Sequence, residues 1–118
     1  EDKAKETAGL FAKYYYTWRL ADAISLTDEN MELRIRFLSS NVHKADIEVL
    51  HGATETPEIE VDDITMEDDS NAIATVLLDN VYMMDTLGTK VHLYKDVKKK
   101  LKLKLKDAGW RVVSIEEN

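Results

Sequence analysis

The sequence predicts an α+β domain in which N-terminal helices pack on one face of an antiparallel β-sheet. Three observations carry this. Apolar residues in the first eighteen positions recur at helical spacing, and after Pro57 the apolar period changes to about two. From Val91 to Lys106, leucines and lysines then alternate along the chain.

The first helix follows from Ala4, Ala8, Phe11, Tyr15 and Trp18, whose spacings of 4, 3, 4 and 3 draw one apolar stripe on a 3.6-period helix. Tyr14 widens that stripe. Gly9 within it costs about 1 kcal/mol relative to alanine, tolerable where a neighbouring backbone packs close. Because successive helical residues diverge by about 100°, Tyr14, Tyr15 and Tyr16 cannot all face one core, and Tyr16 is expected to point outward. A short second helix is expected over Ala21–Leu26. Thr27 or Asp28 then offers an N-cap for a third, running through Met31, Leu33, Ile35 and Leu38 to Ser39–Asn41. Between Asn41 and Gly52, Ile47, Val49 and Leu50 suit either a short strand or a helical turn.

The β half opens with Ile59 and Val61 followed by Ile64 and Met66, a strand whose phase shifts at Asp62-Asp63. Asp68-Asp69-Ser70-Asn71 is turn chemistry. A β-rich run covers Ala72 to Met84, and Asp85-Thr86-Leu87-Gly88 makes the next turn. From 91 to 106 one parity carries Val91, Leu93, Val97, Leu101, Leu103 and Leu105, the other His92, Tyr94, Asp96 and five lysines. Such alternation marks a strand with one face buried and one wet. Asp107-Ala108-Gly109 leads into a last strand, Trp110–Ile115. Two registers are open for this hairpin. One sets Leu103 and Leu101 against Val113 and Ile115; the other sets Leu105 against Trp110 and Leu103 against Val112. Burying Trp110 with the leucines favours the second.

Composition bounds the function. A chain of 118 residues fits one domain, 1–118, burying roughly 65% of its unfolded surface. The absence of cysteine excludes disulfides, thiol catalysis and Cys-ligated zinc. No apolar run approaches the ~18 residues of a membrane span, so the chain is not expected to be transmembrane. It opens on Glu1-Asp2-Lys3 rather than methionine, as expected of a mature or trimmed form, and no targeting segment is recognised in it. The net charge is −7, with seven carboxylates between Glu58 and Asp69 and eight lysines between Lys90 and Lys106. An acidic protein is repelled by phosphate backbones, so nucleic acid is not the expected partner.

The segments Phe11-Ala12-Lys13-Tyr14-Tyr15 and Asp22-Ala23, then Ala72-Ile73-Ala74-Thr75-Val76, and finally Leu103 to Val112 with Gly109-Trp110-Arg111-Val112, carry a resemblance. In order and pattern the chain resembles the nuclear transport factor 2-like superfamily, a cystatin-like cone, and more narrowly its small exported bacterial members, many of them lipoproteins. That resemblance implies a curved sheet wrapped around helices with a cone-shaped cavity, and export to the periplasm or cell envelope. It implies no single function, because the fold hosts isomerases, dehydratases and non-catalytic partners of larger proteins.

Each candidate for chemistry has a structural counterpart. Enzymes of this fold, such as ketosteroid isomerase, use an Asp or His base with tyrosine donors inside the cone. Asp79, between Leu78 and Val81, is the candidate base here, and a bulge at Asp79-Asn80 is the competing account. His43, Asp46 and His51 invite a metal reading, with a His-x-x-Asp spacing at 43 and 46 that one helical turn gathers, but no fourth ligand accompanies them, so no metal or other cofactor is expected. Lys100, Lys102, Lys104 and Lys106 could attract an anionic polymer, lipid surface or acidic partner. The preferred account is a solvated face whose lysines discourage edge pairing, balanced by acids across the sheet. Tyr14, Tyr15, Trp18, Tyr82, Met84 and Tyr94 are candidates to line a pocket for a small apolar ligand, a protein partner or a homodimer. The leading expectation is a non-catalytic binding or interaction module; an isomerase or dehydratase and an accessory scaffold are the alternatives.

Overall fold

The computed structural model describes residues 2–41, 57–84, 91–107 and 109–116. Three helices come first: α1 (Asp2–Tyr16), α2 (Leu20–Ile24) and α3 (Glu29–Asn41). Six strands follow: β1 (Glu58–Asp68), β2 (Asn71–Asp79), β3 (Val81–Met84), β4 (Val91–Tyr94), β5 (Val97–Lys106) and β6 (Gly109–Glu116). Helices on one face of a curved antiparallel sheet make the α+β arrangement that the periodicity predicts. The expected reading of Ile47, Val49 and Leu50, and the turn at 85–88, lie outside the described residues.

In α1 the buried row is Ala4, Ala8, Phe11, Ala12 and Tyr16. Their 4-residue spacing lets α1 lie close on β1 and β6. Gly9 meets no backbone: a Cβ there would lie 3.6 Å from the Val61 side chain. The helix ends before Trp18, correcting the expectation that Trp18 continues its stripe. The Trp18 amide donates to the Tyr15 carbonyl and the Arg19 amide to that of Tyr14, with Trp18 at φ 65°. This is a Schellman closure with tryptophan where glycine is usual. The αL backbone turns the indole into the core, where it is 5% exposed. α2 begins one residue earlier than expected and stops at Ile24. Asp28 is the N-cap of α3, its Oδ1 accepting the Met31 amide at 2.9 Å. Met31, Ile35 and Leu38 face the core, whereas Leu33 and Phe37 are exposed.

The main sheet has the order β1-β2-β5-β6, every neighbouring pair antiparallel. β1 shifts register between Val61 and Asp63, at the point where the apolar phase shifts in the sequence. The outer edge of β6 is covered by the chain between α2 and α3: the Val112 amide donates to the Leu26 carbonyl, and the Asp28 amide to that of Val112. The inner face carries Ala72, Ala74, Val76 and Leu78 from β2, Leu101 and Leu103 from β5, and Trp110 and Val112 from β6.

Two long runs of the sequence are each cut in two. Ala72–Met84 divides at Asn80 (φ 57°) into β2 and β3, and Val91–Lys106 divides at Asp96 (φ 50°) into β4 and β5. The breaks oppose one another, so β3 and β4 pair as a separate two-stranded sheet. Asparagine and aspartate tolerate the left-handed conformation better than any residue but glycine.

The closing hairpin uses both predicted registers. Leu105 pairs with Trp110 and Leu103 with Val112, and then a bulge between Lys102 and Leu103 passes over Val113, so Leu101 meets Ile115. Gly109 takes φ 116°, which side chains with a Cβ rarely adopt. Leu105, expected to be buried with Leu101 and Leu103, is 44% exposed. It lies on the inner parity, but Trp110 takes the place beneath α1, and Leu105 is left at the rim of a cleft with Lys3, Thr7 and Leu10.

Candidate functional site

α1 brings a fan of aromatic rings to the edge of the core. Tyr16, expected to face outward, is 4% exposed. It lies on the Ala8–Ala12 row, and the pattern misleads because Tyr15 and Tyr16 straddle the centre of the buried arc. Phe11 and Tyr15 stack at 5.3 Å between centroids, and Tyr16 meets Tyr15 edge-on at 4.9 Å. Tyr14 and Tyr15 are half-buried against the core. The guanidinium of Arg19 lies 5.0 Å above the Tyr14 ring and also pairs with Asp22 at 3.0 Å. The end of α1 thus gathers Tyr14, Tyr15 and Trp18, three of the candidate pocket residues.

Tyr94, on β4, is half-buried against the same core. The ammonium of Lys99 lies 5.2 Å above its ring. Lys99 pairs with Val76, so it belongs to the inner row of β5 and not to the solvated lysines. Its contact with Tyr94 ties the main sheet to the small one, a cation–π contact of about 0.5–1 kcal/mol. The signal was in the sequence: Lys99 shares the parity of Val97 and Leu101. Tyr82 pairs with Leu93 and Met84 with Val91 in the β3–β4 ladder. Any pocket formed by the side chains of Tyr82 and Met84 lies outside the described residues.

Asp79 closes the double break in the strands. Its Oδ1 accepts the Asp96 amide at 3.2 Å, linking the two positions where β2/β3 and β4/β5 divide. The carboxylate is on the outer parity of β2, opposite Glu58 and away from the apolar inner face. It borders an open cleft of about 690 Å³ with Glu58, Glu60, Asp96 and Lys98. This geometry is that of the bulge account, in which the side chain secures a bend.

The outer face of the main sheet is ordered by charge. β1 presents Glu58, Glu60, Asp63 and Asp68 at its register-paired outer positions, and β5 presents Lys98, Lys100, Lys102, Lys104 and Lys106. Between them runs the β2 row of Ile73, Thr75 and Leu77, all half-exposed. With Asp79 on β2 and Arg111 and Glu116 on β6, the register-paired positions carry six acids and six bases, and β1 adds the exposed Asp62 and Glu67 at its two register shifts. Strands are spaced about 4.8 Å apart, so the backbones that carry the acidic and lysine rows lie about 10 Å from one another. The ion pairs Arg19–Asp22 and Arg36–Glu32 belong to the helical half. Charge interaction across the sheet links the two rows. It reaches Asp68, whose carboxyl is held below the usual carboxylate range by the Ser70 amide and the Asn71 side chain, with a smaller contribution from Lys104.

His43, Asp46 and His51 lie outside the described residues. Among the described residues, no group of three His, Asp or Glu side chains is arranged to hold a metal ion, and no buried side chain is charged.

No protein-family model matches the chain, and no curated protein does. Solved structures do. A ketosteroid isomerase-like protein from Erwinia carotovora atroseptica superposes with a TM-score of 0.56 at 9% identity, over 94% of this chain and 88% of that one. The intermembrane space region of the chloroplast protein ARC6 aligns at 12% identity over 96% of this chain and 92% of that one, with a TM-score of 0.43. At such identities the first likeness shows the fold alone, a ketosteroid isomerase-like, nuclear transport factor 2-like one.

Proposed function

We propose that this chain, with its ketosteroid isomerase-like fold, is a non-catalytic binding or interaction module working in the bacterial cell envelope. One observation carries the reading: the carboxylate of Asp79 lies on the outer parity of β2, away from the apolar inner face. An isomerase of this fold needs a carboxylate or imidazole held in an apolar site, where desolvation tunes its proton affinity. Asp79, the candidate for that role, bonds a backbone amide at a bend on the outer face. Tyr14 and Tyr15, half-buried at the end of α1, suit contact with an apolar ligand or a partner protein, while Trp18 packs within the core. Export rests on the family resemblance, and cell fractionation tests it.

Native mass spectrometry of the purified chain tests the binding reading. A co-purifying apolar molecule, or a stoichiometric protein partner, is the expected finding. Isomerisation of a 3-oxo-Δ5-steroid by the purified chain, abolished by Asp79→Asn, would replace this reading with catalysis.

A further inference from the structure

We propose that the outer edge of β1 is a docking site for an extended, basic segment of a partner protein, which joins the main sheet as a fifth strand. This surface is apart from the aromatic end of α1, and the proposal does not depend on the reading given above for that end. In the order β1-β2-β5-β6 the main sheet has two edges, and the chain treats them differently. At β6 the Leu26 carbonyl accepts the Val112 amide, and the Asp28 amide donates to the Val112 carbonyl, so that edge is closed. β1 runs for 11 residues, Glu58–Asp68, and among the described residues no backbone group bonds to its outer side. A row of unanswered amides and carbonyls is a template for another strand.

The backbone edge makes the site, and the side chains of β1 select what fills it. On the inner parity Ile59, Val61, Ile64 and Met66 pack against the core yet stay part-exposed. An added strand continues the sheet, so apolar side chains on its inner parity would cover these four. Glu58, Glu60, Asp62, Asp63, Glu67 and Asp68 are all exposed, and no base occurs between 58 and 69. Opposite charges on neighbouring strands stabilise pairing and like charges oppose it. A segment in which lysine or arginine alternates with valine or isoleucine therefore satisfies both faces. The same acids reject the β1 edge of a second copy, which would set carboxylate against carboxylate. β5 has the matching alternation, but β2 and β6 already occupy both of its edges. The register shifts after Val61 and after Met66 bend β1, so pairing runs over about four residues at a time and the contact is expected to be weak.

Titration of the full chain with a synthetic peptide of about eight residues, alternating lysine and valine, tests this. The expected result is binding with a Kd of order 100 µM at low salt, weakened at least tenfold near 0.5 M salt. Amide exchange should slow in β1 and stay unchanged in β6. Methylating alternate peptide amides should abolish binding for one of the two alternating sets, the one that faces β1, and spare the other. Glu60→Lys/Asp63→Lys should bind the Lys-Val peptide at least tenfold more weakly and take up a Glu-Val peptide in its place. Should that variant not fold by circular dichroism, Glu60→Gln/Asp63→Asn should show the loss without the gain. A Lys-Val peptide that does not bind, or a Glu-Val peptide that the parent chain binds equally well, would overturn the proposal. So would protection that falls outside β1, or binding indifferent to both methylation patterns, which would mean charge attraction without an added strand.

Discussion

The amide of Arg19 donates to the carbonyl of Tyr14 at 2.8 Å, closing α1 around a tryptophan in the left-handed conformation. A β-carbon in that conformation costs about 1–2 kcal/mol, offset here by burial of the Trp18 indole.

This relationship separates two substitutions at one position. Trp18→Ala loses the indole and keeps the strain, and should cost about 3–5 kcal/mol. Trp18→Gly loses the same indole but is at ease at φ 65°, so it should be the less damaging by about 1 kcal/mol. Urea denaturation of both variants measures the difference; an alanine variant as stable as the glycine one would show that the backbone is not strained.

Gly9 offers a gain. A methyl group there meets only Val61 Cγ2, at an ordinary 3.6 Å. Gly9→Ala should therefore stabilise the domain by about 0.5–1 kcal/mol through helix propensity and unfolded-state entropy. A fall in the melting temperature would mean that α1 and β1 cannot accommodate the added methyl.

Leu103 and Leu105 share a strand parity and differ in burial, 0% against 44% exposed. Leu103→Ala should cost about 2–5 kcal/mol and Leu105→Ala less than about 1 kcal/mol. Equal losses in chemical denaturation would place Leu105 in the core, as the sequence alone suggests.

Asp79 holds the Asp96 amide across the double break. Asp79→Ala should destabilise by about 0.5–1.5 kcal/mol, and amide exchange should quicken at Asp96 and in β4. Unchanged exchange would remove the bend-securing role.

Asp68 gives a pH dependence. Its folded carboxyl is held below the usual range, first by the Ser70 amide and then by Asn71. The folded state therefore favours the charged form. The resulting stability is fully present above the unfolded value of about 3.9 and is lost as pH falls through the lower folded one. The stability difference between the parent and Asp68→Asn should shrink on acidification below about pH 4. A difference constant from neutral to acid pH would show that the carboxylate is not preferentially stabilised by folding.

What the amino-acid sequence determines here is what depends on near neighbours. Helical spacing located α1 and α3, Thr27-Asp28 announced a cap that Asp28 supplies, and the phase shift at Asp62-Asp63 announced the β1 register shift, because each rests on residues a few positions apart. The leucine–lysine alternation settled which parity of β5 faces inward for the same reason. Local spacing could not say that Tyr16 is buried and Leu105 exposed, since that depends on which part of the sheet α1 covers. It offered a bend at Asp79-Asn80 but not the matching break at Asp96, and the two support one another across 17 residues through Asp79. Strand order is likewise tertiary. The acidic row and the lysine row share one face, a strand apart, because β2 pairs with β5 as well as with β1, and pairing between strands remote in sequence is decided by the side chains they bury together.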